Sequence, residues 1–169
     1  MDFETLFKMS MDRDLPQLLD PPEGLSIGLG ESGKKMHGRD MSLGLPDWSW
    51  PEEPIPAEDG SAGIIHAYHF FEHLTGEQAI DMLFECQRVL KPGGVLQFCM
   101  PWFKSEIASQ DLTHKSFWTE STFRTLMNNP YYDPSASDKK WKMRQHYLVI
   151  AGIVERNVSL MGQLVREAD

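Results

Sequence analysis

The stretch from Gly63 to Met100 constrains the fold most. Gly63-Ile64-Ile65-His66-Ala67-Tyr68 reads as a core strand. From Gly76 to Leu90, residues Ala79, Ile80, Leu83, Phe84, Val89 and Leu90 recur at helical spacing and give a helix one apolar face. Thr75 and Gln78 have the spacing of a capping box at its start. Lys91-Pro92-Gly93-Gly94 ends it, because a glycine takes the left-handed C-cap and proline cannot continue a helix. Val95 to Met100 is a further strand, stopped by Pro101. A strand, a crossover helix and another strand imply a parallel pair.

The flanks extend this unit. Leu25-Ser26-Ile27 reads as a short buried strand that runs into Gly28-Leu29-Gly30. Residues 31–61 are rich in Gly and Pro and predict mostly loop, with one short strand around Met41–Leu45 or Trp48–Trp50. Thr119 is placed to cap a helix through Leu126, and residues 131–138 form a polar loop. Met143–Val154 and Asn157–Val165 predict two strands joined at Glu155-Arg156. The expected fold is α/β: a Rossmann-like, mostly parallel sheet with a C-terminal antiparallel hairpin. Its 169 residues suit one domain, with residues 1–24 as a short N-terminal extension.

Charge narrows the partners. The formal net charge is −9, and basic residues gather only at Lys34-Lys35 and at Lys139, Lys140, Lys142 and Arg144. Attraction to a phosphate backbone needs clustered cations, so nucleic acid is disfavoured as a substrate. No apolar run approaches the ~18 residues of a membrane helix. Met1-Asp2-Phe3-Glu4 is acidic and lacks the start of a signal peptide. Cys86 and Cys99 form no CxxC and are expected as buried free thiols. A reducing cytoplasm is the expected compartment.

Gly28-x-Gly30-x-x-Gly33 matches the pattern GxGxxG. A dinucleotide site also requires a full helix after the loop and an acid about 20 residues on. The segment from Glu31 to Gly38 is too short and glycine-rich for that helix, and a pyrophosphate would lose its anchor. A ligand without phosphate needs only the close backbone approach that glycine permits.

Several further segments stand in order along the chain. They are Pro56-Ala57-Glu58-Asp59-Gly60-Ser61, Glu72-His73-Leu74, Arg88-Val89-Leu90-Lys91-Pro92-Gly93-Gly94 and Asp111-x-x-His114-Lys115-x-Phe117-Trp118-Thr119. With the glycine loop, they make residues 25–127 resemble the class I S-adenosylmethionine (SAM)-dependent methyltransferases of the type 11 kind. The resemblance implies a reduced class I methyltransferase fold, SAM as cofactor, and methyl transfer to a small-molecule or glycan acceptor. It implies that Gly28, Leu29 and Gly30 wrap the methionine part of SAM. It implies that Asp40 holds the ribose, with Asp47 as rival, that Trp50 lies at the adenine, and that Tyr68 and His69 line the transfer site. Gly30→Val is then expected to abolish SAM binding with modest loss of stability. The region 31–47 is shorter than the family pattern. That leaves open a SAM-binding module acting through protein contacts, or a SAM-degrading hydrolase or lyase.

His66, His69 and His73 suggest a metal cluster by spacing, but the turn after the strand separates 69 from 73 and no Cys or Asp completes a set. No metal is expected. His66 is expected to point away from Tyr68, and His73 to pin the turn. An acceptor that must lose a proton needs a base, for which His69 and His114 are the candidates, with Asp111 orienting His114. Phe103, Phe117 and Trp118 are expected as acceptor-pocket wall or core. The Val149–Val165 hairpin offers an apolar edge on which a homodimer could pair.

Overall fold

A computed structural model of the chain describes residues 18–31, 38–128, 141–152 and 158–168. Six strands form one sheet: β1 (Leu25–Leu29), β2 (Met41–Leu43), β3 (Ala62–Tyr68), β4 (Leu90–Pro101), β5 (Met143–Gly152) and β6 (Val158–Arg166). Their order across the sheet is β2-β1-β3-β4-β6-β5. The β1–β2, β1–β3 and β3–β4 pairs are parallel, and β6 runs antiparallel to both β4 and β5. The expected mixed architecture is therefore present, with β6 inserted beside β4 and β5 on the outside. The Glu155-Arg156 turn, the 131–138 loop and most of the N-terminal extension lie outside the described residues.

Helix α1 (Gly76–Val89) carries the connection from β3 to β4. Thr75 Oγ1 accepts from the Gln78 N–H and Gln78 Oε1 accepts from the Thr75 N–H, so the capping box is complete. Two short helices follow β4, α2 (Glu106–Gln110) and α3 (Glu120–Asn128). Helix α2 has no counterpart in the sequence expectation. No described helix is long and apolar enough to cross a membrane.

Strand alternation sorts the two faces of the sheet. Ile27, Leu29, Ile65, Ala67, Leu96, Phe98, Leu160 and Leu164 share the main core with Ala79, Met82, Leu83, Cys86 and Val89 of α1 and Phe123 of α3. The residues between them point the other way. Register sets Ser42, Gly28, His66, Gln97 and Gln163 in one row across five strands. His66 and Tyr68 are two residues apart on one strand and so share this second face, against the expectation that they diverge.

Helix α1 stops at Val89, just before the Lys-Pro-Gly-Gly run, and Leu90 is already extended at φ −68° and ψ 141°. The left-handed glycine is Gly93, with φ +79°, inside the start of β4 rather than at the helix cap. Pairing to β3 shifts register there, between Ala62 and Ile64. Arg88, in the last turn of α1, fastens the loop ahead of β3. Its guanidinium donates to Glu85, to Asp59 at 2.6 Å, and to the carbonyls of Ile55 and Ala57. That is the local reason for the spacing between the Pro56–Ser61 loop and the Arg-Val-Leu run.

Candidate functional site

The chain leaves β1 toward β2 on one side and reaches β3 on the other. At such a reversal the connections diverge and open a crevice at the carboxyl ends of the strands. A cleft of about 750 Å³ lies there, within the size range of small-molecule sites. Gly30 contributes from the end of β1, and Gly44 and Leu45 from the end of β2. Trp48, Ser49 and Trp50 form one wall. His69, Phe70, His73 and Leu74 follow β3, and Gln78 comes from α1. Leu112, Thr113 and Lys115 close the side toward α3.

The two glycines of the first loop have different jobs. Gly30 has φ +78°, donates its N–H to Leu43 O at 2.8 Å, and lines the cleft. Gly28 faces the opposite side of the sheet. A Cβ there would stand 2.1 Å from the Glu31 carboxylate. That carboxylate folds back over Gly28 and accepts from Ser42 Oγ at 2.7 Å and Arg39 Nε at 3.2 Å. Gly28 thus makes room for an acid of its own loop. Leu29 is fully buried in the core, so its side chain does not reach the cleft.

Asp40 does not reach it either. It precedes β2, at the amino end of the strands, and its Oδ2 accepts from the Ser26 N–H at 2.8 Å. Parallel pairing puts that end of the sheet opposite the cleft. Asp47 is exposed beside the turn after β2, where its N–H donates to Gly44 O. Among the described residues lining the cleft there is no Asp or Glu.

Trp50 is in the cleft wall, and its indole N–H donates to Gln78 O at 3.0 Å. Trp48 stands beside it, donating to Pro54 O, with its ring 6.3 Å from that of Phe70. Both indoles have their polar atom satisfied; Trp48 is buried in the core, and the half-buried Trp50 is the one with a face to offer as an apolar platform. Tyr68 points to the second face of the sheet instead. Its hydroxyl accepts from Gln97 Nε2 at 2.6 Å and lies 3.1 Å from His66 Nδ1. Burial pushes this phenol up to about 12.

His69 is the residue where β3 turns into the site. Its φ is +51°, a left-handed conformation uncommon for a non-glycine residue, and its N–H donates to Cys99 O. Its Nδ1 lies 3.0 Å from Glu72 Oε1. Hydrogen bonding to Cys99 and to Glu72 holds the imidazolium up to about 10. A ring so held keeps its proton at neutral pH and is a donor, not the general base expected from the sequence.

His114 and Asp111 lie behind the wall. His114 Nδ1 donates to Ala108 O at 3.0 Å, and the ring meets that of His73 edge-on at 4.9 Å. Asp111 does sit beside His114, 3.9 Å from Nε2, but it is engaged by the Thr113 N–H and hydroxyl. Neither residue lines the cleft. Of the three aromatic residues considered for the acceptor pocket, Trp118 is core and Phe103 and Phe117 are exposed away from the cleft.

Several cleft residues escaped the sequence reading. Gln78 was legible only as a cap. Thr113 and Lys115 sit inside the Asp111–Thr119 motif, but what brings them to the site is long-range: the N–H groups of Lys115 and Ser116 both donate to Glu72 O.

Comparison with known proteins agrees with this geometry. Residues 51–98 match the methyltransferase domain family, which takes in the Arg88-bound loop, β3, α1 and most of β4. A search of curated proteins finds no match. Among solved structures, a Bacillus halodurans protein described as a methyltransferase is similar over 99% of both chains, at 11% identity and a TM-score of 0.61. A SAM-dependent methyltransferase from Thermotoga maritima is similar over 86% of this chain and 84% of its own, at 13% identity and a TM-score of 0.55. The Burkholderia thailandensis 1,6-didemethyltoxoflavin-N1-methyltransferase, with bound 1,6-didemethyltoxoflavin and S-adenosylhomocysteine (SAH), covers 86% of this chain and 72% of its own, at 12% identity and a TM-score of 0.55. The fold and the family match define a methyltransferase-type α/β protein. Residues 51–98 match that family, and the chain as a whole has the fold of SAM-dependent methyltransferases in a reduced form.

Proposed function

We propose that this chain binds SAM in the cleft between β1 and β3 and catalyses methyl transfer to a small-molecule acceptor there. The observation that carries this reading is the position of the cleft. It opens at the strand-order reversal of a methyltransferase-type sheet, beside the β3–α1–β4 segment that matches a methyltransferase domain. The cleft fits SAM in place, size and lining. Gly30 lets backbone come close to a ligand, and Trp50 offers a flat face to a base. With Asp40 at the far end of the sheet, the ribose hydroxyls fall to polar groups such as Ser49 and the Gln78 side chain. Lys115 supplies a cation for the methionine carboxylate.

When bound, SAM supplies a methyl group on a sulfonium, and the S–C bond breaks toward sulfur as an acceptor lone pair bonds the carbon. The protein's task is to align the acceptor and keep water out, which is where most of the acceleration of such a displacement arises. Phe70, Leu74 and Leu112 give the cleft the apolar lining that this exclusion needs. An amine or thiolate acceptor needs no base in the bond-forming step.

The absence of a carboxylate among the described lining residues favours one second reading, a SAM-fold module that has lost catalysis and works through protein contacts. Calorimetric titration of the full chain with SAM and with SAH separates these readings. One-to-one binding of both ligands supports the enzyme. No heat with either at millimolar ligand overturns SAM binding and leaves the module. The two buried free thiols suit a reducing compartment, in keeping with a cytoplasmic protein. Strand β5 is the outer strand of the sheet and offers an edge for a homodimer.

A further inference from the structure

We propose that Glu72, His73 and His114 form a binding site for a divalent transition-metal ion in the wall of the cleft. One ligand atom from each of the three lies within 4.8 Å of the others. His73 lines the cleft, and Glu72 is 2% exposed behind it.

Proton counting shows what these side chains offer. His114 Nδ1 faces the Ala108 carbonyl, which can only accept, so a neutral ring has its proton on Nδ1 and its lone pair on Nε2. Thr113 has one hydroxyl hydrogen, and it is given to Asp111 Oδ1 at 2.7 Å. Thr113 Oγ1 must therefore accept from His73 Nδ1–H at 3.1 Å, so a neutral His73 also has its lone pair on Nε2. Glu72 Oε1 is taken by His69, while Glu72 Oε2 is buried with no hydrogen-bond partner.

Two imidazoles, each with a nitrogen left over when neutral, thus lie beside a buried carboxylate oxygen that has no hydrogen-bond partner. Acceptors gathered in this way repel one another, and a buried oxygen that no donor reaches is costly. A cation removes both penalties. Two histidines and one carboxylate are a common transition-metal set that leaves positions open to a further ligand. Each histidine also holds an outer partner on its other nitrogen, Ala108 O for His114 and Thr113 for His73. Such partners orient metal-binding rings. Bonds of about 2.0–2.2 Å place ligand atoms about 3.5 Å apart, so closing on an ion takes inward movement on the order of 1 Å. The open positions of an ion held here would be available to an oxygen or nitrogen of the acceptor, which would help set its orientation.

Sequence spacing pointed to a different trio, His66, His69 and His73. His66 lies on the other face of the sheet, and His114 comes from a loop forty residues farther on, tied back by the Lys115 and Ser116 bonds to Glu72 O.

The test is a titration of tag-free full-length protein with Co²⁺, read by its visible d–d absorption, alongside calorimetry with Zn²⁺. One ion per chain is expected. His73→Ala and His114→Ala should each weaken binding on the order of 100-fold, and Thr113→Val on the order of 10-fold. His114→Gln, whose amide can still donate to Ala108 O, covers the case in which the alanine variant fails to fold. Titration with SAH reads the cofactor site separately and should be retained in His114→Gln, because His114 does not line the cleft, so failure of the metal site and failure of the SAM reading are told apart. The proposal is overturned if the wild type gives no Co²⁺ absorption at millimolar metal. It is equally overturned if folded His73→Ala and His114→Gln proteins bind as well as the wild type, in which case a shared proton occupies the cluster.

Discussion

The Tyr68 hydroxyl lies 3.1 Å from His66 Nδ1 and closes a directed chain of hydrogen bonds across the sheet. Leu19 N–H donates to Gln163 Oε1, Gln163 Nε2 to Gln97 Oε1, and Gln97 Nε2 to Tyr68 Oη. Tyr68 Oη accepts from Gln97, and its own hydrogen can be given to the unprotonated Nδ1 of His66. A proton on that nitrogen would set two donors against each other.

His66 is accordingly held down to about 3, by burial first and by the Arg39 charge second. Its folded-state value lies below its unfolded value, so the unfolded chain binds the proton first. Stability from this group is complete above about pH 6.5 and is lost as pH falls toward 3, by about 1.4 kcal/mol per pH unit. Urea melts between pH 7 and 5 should show this slope, and His66→Gln should flatten it. An unchanged slope in the variant would sink the assignment.

Gly28→Ala should destabilise by about 1–3 kcal/mol, because the new methyl expels the Glu31 carboxylate from Ser42 and Arg39. Adding Glu31→Ala should cost far less in that background than alone, a coupling that denaturation of the four proteins measures. SAH affinity should change little in Gly28→Ala, since this glycine faces away from the cleft.

Gly30 behaves differently. At φ +78°, with Phe70 Cβ 3.2 Å from where a Cβ would sit, even Gly30→Ala should cost about 1–2 kcal/mol and lower SAH affinity. The β-branched Gly30→Val would do worse, so its loss of stability is not modest. Thermal melts and SAH titration of Gly30→Ala check both effects, and full retention of affinity would count against the cleft as the cofactor site.

The ribose assignment is tested by pairing Asp40→Asn with Trp50→Ala. Asp40→Asn should leave SAH affinity within about twofold while costing about 1 kcal/mol through the Ser26 bond. Trp50→Ala should lower affinity by about 1 kcal/mol or more, as a lost aromatic platform does. Calorimetry on both variants decides it, and the reverse ranking would restore Asp40 to the site.

Removing the capping box should be felt at the cleft as well as in the helix. Thr75→Ala should cost about 1 kcal/mol, and because Gln78 also anchors Trp50 through its carbonyl, SAH affinity should fall slightly too. Thermal melts with and without SAH separate the two effects.

Much of the fold was legible because its signals are local. The period of α1, the Thr75–Gln78 cap and the stop before Lys91 depend on residues within a few positions of one another. So do the short strands bounded by Gly and Pro. These marked β1, β3, β4, the final strand pair and, through the Arg88 run, the resemblance to methyltransferases. Of the residues singled out in the sequence, Gly30, Trp50 and His69 stand in the wall of the candidate cleft.

Side-chain direction and distance across the sheet were not legible, because they depend on how the strands pair. The sequence by itself could not say that Asp40 meets Ser26 at the amino end of the strands, or that Gly28 yields its space to Glu31. Nor could it say that Tyr68 turns toward His66. The bond from Lys115 N–H to Glu72 O, which brings His114 beside His73, joins residues forty-three positions apart. Local chemistry set the elements, and the parallel register and a few long-range backbone bonds decided which of their residues share a site.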